Sequence, residues 1–165
     1  MGNRNSDQAA YTIVELMVVV VLIVFLVTSV VWADSALTNV TRQSRDSERS
    51  DDMQSVALLF ERYYRTSPTA AGSSYPTTLQ AAEASIGTIV TNAELLTPPS
   101  LSEPVFSVAS DTTVPQDTTV DRYVYQPFTA NDTLCNLIPP CVRFILYYRS
   151  EVTDEIKMIE SSHQQ

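Results

Sequence analysis

Glycine is almost missing from this chain. Three glycines occur in 165 residues, and neither glycine nor proline occurs between Tyr11 and Ser67. The first scarcity leaves no glycine-rich loop to cradle a phosphate. The second removes every strong helix breaker from a long interval, so one unbroken helix is permitted there. Histidine is reduced to His163 in a polar tail, and cysteine to Cys135 and Cys141. With no second ligand pair and no base beside either thiol, the sequence offers no resident metal centre, cofactor or catalytic constellation, and an enzyme is not expected. Positive charge is scarce as well: ten Lys and Arg stand against nineteen Asp and Glu, for a net charge of −9. Such a surface repels nucleic acid, and no direct nucleic-acid binding is expected.

What is present is a long apolar run. No polar side chain occurs from Leu16 to Val27, and the flanks Tyr11 to Glu15 and Thr28 to Trp32 bring the stretch to the ~20 residues that span a hydrocarbon core. This predicts a membrane-spanning helix with Trp32 at its outer interface. Glu15 lies inside the run, where a carboxylate costs a few kcal/mol unless it is paired. The preceding residues, MGNRNSDQAA, are polar and end in Ala9 and Ala10. Cleavage after Ala10 would give Tyr11 a new amino group, a cation for Glu15. A secretory signal would carry its small-residue site after the apolar core, whereas here it comes first. An ordinary signal anchor, with Glu15 reaching into the headgroups, is the plainer alternative.

A short polar leader, a cut before an aromatic and a glutamate fifth in the mature chain resemble the type IV pilins and pseudopilins. Ala10 stands where that family usually has glycine, and Tyr11 where it usually has phenylalanine. The resemblance is specific from Ala10 to Tyr64 and architectural beyond. It implies a leader, 1–10, removed by a prepilin peptidase that also N-methylates Tyr11. It further implies Glu15 as the register residue of a helical homopolymer, and an assembly ATPase and membrane platform protein as partners. The charge pattern points the other way on orientation, since only Arg4 precedes the run while Arg42, Arg45 and Arg49 follow it. The resemblance places the leader in the cytoplasm and the remainder outside, as a single-pass membrane protein before assembly and a cell-surface filament afterwards. Adhesion, twitching motility or uptake would be its task. A pseudopilin of a type II secretion or DNA-uptake system is an alternative, as is a membrane-anchored binding module that never polymerises.

The expected fold is α+β and pilin-like: a long N-terminal helix, membrane-spanning in its first half, packed by its second half on a small C-terminal antiparallel sheet. Segment 11–33 is the membrane and assembly helix and 34–65 its continuation. Asn39 to Asp52 is polar with charges of both signs, a solvated or subunit-facing stretch. Met53, Val56, Ala57, Phe60, Tyr63 and Tyr64 then recur at three- and four-residue spacing and predict one apolar face that must meet a sheet. Segment 66–121 reads as an irregular connector, opened by Pro68 and Gly72. Its Tyr75-Pro76-Thr77-Thr78-Leu79 resembles the segment that follows the long helix in many pilins and major pseudopilins. Thr77 is a candidate cap for a short helix at Leu79 to Ala84, and Asn92 for a turn over Ala93 to Leu96. Segment 122–165 reads as a meander of Arg122 to Phe128, Cys141 to Arg149 and Glu155 to Glu160, followed by a tail.

Two further features carry chemistry. In an exported domain Cys135 and Cys141 would form a disulfide around a loop stiffened by Pro139 and Pro140; in a reducing compartment they would be two buried thiols. Asp111, Asp117 and Asp121 are weak calcium candidates in an acidic loop that solvation alone would explain.

Overall fold

The computed structural model describes residues 12–66, 68–69, 72–137 and 140–163, without the side chains of 30–36, 68–69, 72 and 83–84. The expected leader, the cut between Ala10 and Tyr11 and the Tyr11 amine lie outside the described residues, as do Pro139 and the Trp32 side chain. The chain divides into two compact units, Met1–Val40 and Thr41–Gln165.

Helix α1 covers Ile13–Thr66. It starts where Thr12 provides a cap: its hydroxyl accepts from the Glu15 amide at 3.3 Å and its carbonyl from the Leu16 amide at 3.2 Å. Glu15 in the first turn and Arg65 in the last both suit the helix dipole. In the second unit one stripe of this helix is buried, with Arg49, Met53, Val56 and Phe60 all fully covered.

A pair of two-residue strands, β1 (Pro68–Thr69) and β2 (Gly72–Ser73), follows the helix. Thr77 and Gln80 then bond reciprocally, backbone to side chain, at 2.9 and 3.3 Å. That capping box closes a single turn, so Thr77 does not start the helix expected at Leu79 to Ala84. Helix α2 is shorter and later, Glu83–Ile86, with Ala82 as its N-cap. Asn92 does cap a 3-10 turn at Ala93–Leu96, accepting from the Glu94 amide.

Four strands complete the fold: β3 (Phe106–Val108), β4 (Tyr123–Phe128), β5 (Arg143–Arg149) and β6 (Ile156–Glu160), in the spatial order β3-β4-β5-β6. β4, β5 and β6 pair antiparallel, with Tyr125 opposite Leu146 and Leu146 opposite Ile159. Phe60 of α1 meets the sheet edge-on, 4.8 Å from the Tyr125 ring and 5.5 Å from Phe144. Tyr75 extends the same cluster at 4.8 Å from Phe144.

The expected fold class needs two corrections. The sheet is mixed, because β3 pairs with β4 in parallel. Its strand lies in a stretch read as loop, since three residues are too few for an alternating pattern to declare itself. The long connection from Val108 to Tyr123 is what lets the chain return for a parallel pairing. Among the described residues, moreover, no helix is long and apolar enough to cross a membrane. The membrane-spanning first half is therefore not found, and the single-pass membrane placement falls with it. What packs on the sheet is the later part of α1, through Phe60.

Candidate assembly surface

From Ile13 to Val27 the helix is apolar on every side except at Glu15, and each of its large apolar side chains is half or more exposed, from 50 % at Val19 to 78 % at Ile13. A helix apolar all round is ordinarily a buried one. The hydroxyls that interrupt its end are satisfied within the helix: Thr28 donates to the carbonyls of Val24 and Phe25 at 3.0 and 2.9 Å, and Ser29 to that of Leu26 at 2.8 Å. No polar group of this stretch thus resists removal from water except the Glu15 carboxylate. Continuous exposed apolar surface of this extent is what association sites present.

Comparisons with family models, with curated proteins and with solved structures found no match.

The second unit shows the opposite economy, its buried side-chain polar groups being held by named partners except, among the described residues, the Tyr123 hydroxyl. Asp46 clamps the β5–β6 turn to α1. Its carboxylate accepts from the Ser150 hydroxyl at 2.6 Å and from the amides of Glu151 and Val152 at 2.8 and 3.0 Å. Arg49, fully buried, donates to Asp46 at 2.8 Å, to the Val120 carbonyl at 3.0 Å and to Glu151 at 3.4 Å. Arg45 also binds Glu151. Burial alone would raise the Asp46 pKa, but the Glu151 amide, the Ser150 hydroxyl and the Val152 amide reverse this and hold it below the usual carboxylate value.

A second clamp fixes the end of the chain. Glu61 accepts from the Tyr75 hydroxyl at 2.9 Å and from the Ser162 amide at 2.8 Å, and it faces His163 Nδ1 at 3.0 Å. The His163 ring stacks on Tyr64, centroids 4.9 Å apart. Burial opposes its ionisation, yet the Ser162 amide and the Tyr75 hydroxyl bring the Glu61 carboxyl below its ordinary range. The sequence places His163 in a polar tail without a packed context; partners about a hundred positions away give no local signal.

Cys135 and Cys141 are joined, S–S 2.03 Å, and the loop is stitched to the connector. The Cys141 amide donates to the Ser74 hydroxyl at 2.8 Å and the Thr78 amide to the Cys135 carbonyl at 3.0 Å.

The three aspartates weighed for calcium do not converge. Asp111 takes the Thr113 amide and hydroxyl at 2.8 and 2.6 Å, which lower its pKa. Asp117 pairs with Arg122 at 3.6 Å, and Asp121 accepts from the Ser100 hydroxyl. Asp111 and Asp117 border one cavity of about 300 Å³ that Asp121 does not reach. No cluster of three or more metal-ligating side chains occurs among the described residues.

Proposed function

We propose that this chain is a structural subunit of a type IV pilin-like filament, its copies joined through the apolar start of α1. The observation that carries the proposal is the unbroken apolar surface from Ile13 to Val27, exposed around the whole circumference of the helix. Only neighbours on several sides would cover such a surface, and other copies of the same helix match it in chemistry and length. Contacts of this head-to-tail kind do not close and so build an open helical polymer.

Glu15 then acts as the register device. In the packed helices its carboxylate meets the amino group that cleavage would create on Tyr11 of a neighbour. A displaced subunit would leave both charges buried and unpaired, a strongly unfavourable state. The polymer would support adhesion, motility or uptake mechanically, without chemistry of its own.

The deciding experiment is mass spectrometry of sheared filaments from the native host. The expected result is polymer built of chains that begin at N-methylated Tyr11, and its loss on Glu15→Gln substitution. Full-length chains beginning at Met1 and recovered only as monomers would overturn the reading.

A further inference from the structure

Beyond its buried stripe, α1 carries an outward stripe in the second unit. Glu48, Asp51, Leu58, Arg62 and Arg65 are exposed and recur at helical spacing with half-buried Ser55 between them. Acid occupies the N-terminal end, base the C-terminal end, and Leu58, 70 % exposed, lies between. Most other arginines of this unit have an ion-pair partner: Arg49 with Asp46, Arg122 with Asp117, Arg143 with Asp132, Arg149 with Asp154. Among the described residues Glu48, Asp51, Arg62 and Arg65 have none.

The acidic end is electrostatically uncompensated. Beside it, Asp52 is pushed up to about 6, first by burial and then by the charges of Glu48, Asp51 and Glu94. Among the described residues no ion pair answers Glu48 or Asp51, and Arg62 and Arg65 lie too far along the same helix to do so.

We infer that the stripe is a contact between copies in which Glu48 and Asp51 of one subunit meet Arg62 and Arg65 of the next, displaced along the helix axis by fourteen residues. The inference rests on the filament reading, which requires the helices to run parallel. Parallel helices in register would set Glu48 against Glu48 and Arg62 against Arg62. The offset that brings acid to base is the same for both pairs, 48 to 62 and 51 to 65. At 1.5 Å per residue it is about 21 Å. The pairing of Glu15 with a Tyr11 amine sets a four-residue offset toward one neighbour, and the charged stripe sets the fourteen-residue offset toward a different one.

The test uses the full chain in its polymer. Glu48→Cys with Arg62→Cys leaves the second ionic pair intact, and Asp51→Cys with Arg65→Cys leaves the first. Within one chain these positions are about 21 Å apart, beyond the reach of a disulfide. Oxidation should therefore yield a ladder of linked copies. Leu58→Cys alone should give none, because the offset carries Leu58 away from its counterpart. Glu48→Arg with Asp51→Arg should reduce assembly at least tenfold in low salt, and adding Arg62→Glu with Arg65→Glu should restore it. Polymer without the two ladders overturns the offset and leaves the filament reading standing. Links through Leu58→Cys would mean in-register or antiparallel helices and would also overturn it. If the unsubstituted chain forms no polymer, the filament reading falls and the offset with it. An unchanged thermal melt of each variant separates loss of contact from loss of fold.

Discussion

The two ends of α1 solve opposite problems with the same backbone. In the second unit the helix is two-faced: Met53, Val56 and Phe60 are sealed against the sheet, while Arg49 and Glu61 are buried only because several groups bond to each. In the first unit, from Ile13 to Val27, the helix is apolar on every side but at Glu15, and each of its large apolar side chains is half or more exposed. The first arrangement fixes a unique monomer. The second leaves apolar area whose burial is worth ~25 cal/mol per Å² to whatever covers it. On the proposed reading, stability of the domain and cohesion of an assembly would depend on separate residues.

The sharpest way to break that separation is a pair of matched substitutions. Phe60→Ala removes a fully buried ring in contact with Tyr125 and Phe144, and should cost the domain about 3 to 5 kcal/mol. Phe25→Ala, at a ring 69 % exposed, should leave domain stability within about 0.5 kcal/mol while weakening assembly. Urea denaturation read on both variants decides the matter; equal losses would dissolve the distinction. Next in size is Asp46→Ala. It removes the acceptor for Ser150, Glu151 and Val152 and leaves the buried Arg49 with fewer anions. The expected loss is about 2 to 4 kcal/mol by the same measurement, with faster amide exchange at Glu151 and Val152.

How much of this was legible in the sequence also differs between the two ends. The buried stripe was, because Met53, Val56 and Phe60 repeat at helical spacing and no glycine or proline interrupts them. The antiparallel strands β4, β5 and β6 were, because Tyr123, Tyr125, Phe144 and Leu146 alternate with their neighbours. The parallel β3 was not: Phe106 and Val108 make too short a pattern. Nor was the cover on the second face of β4, which depends on Gln126 donating to the carbonyls of Asp111 and Thr113 at 2.7 and 2.9 Å. Asp46 falls in a stretch that reads as solvated or subunit-facing and Glu61 prompts no reading, since most of the groups that hold them lie about a hundred residues away. At the apolar end the sequence overreached. Among the described residues no helix is long and apolar enough to cross a membrane.

The disulfide belongs to the domain side of the comparison. Replacing Cys135 and Cys141 with serine frees the small loop in the unfolded chain, which should cost about 2 kcal/mol. The Ser74 and Thr78 bonds to that loop should exchange faster, while self-association at matched folded concentration stays unchanged. A loss of assembly with the domain still folded would show that the loop takes part in the contact between copies.

The smallest effect is the most discriminating, because it reverses sign. Asp46 and Glu61 have lowered folded pKa values, so the stability they contribute is present above ~4 and disappears as pH falls through their folded values. Asp52 is raised to about 6, by burial first and then by Glu48, Asp51 and Glu94. Between ~4 and 6 the folded state holds a proton there that the unfolded state has released, so this residue makes stability decline as pH rises across that interval. Asp52→Asn should therefore raise the stability of the domain at pH 7 by about 1 kcal/mol after solvent screening, and flatten the decline between pH 4 and 6. If the acidic end of the outward stripe is met by arginines of a neighbouring copy, the same substitution should gain less in the polymer than in the dispersed chain, because those cations already relieve the charge. Equal gains in both states would mean that Arg62 and Arg65 of the next copy do not reach this end of the helix.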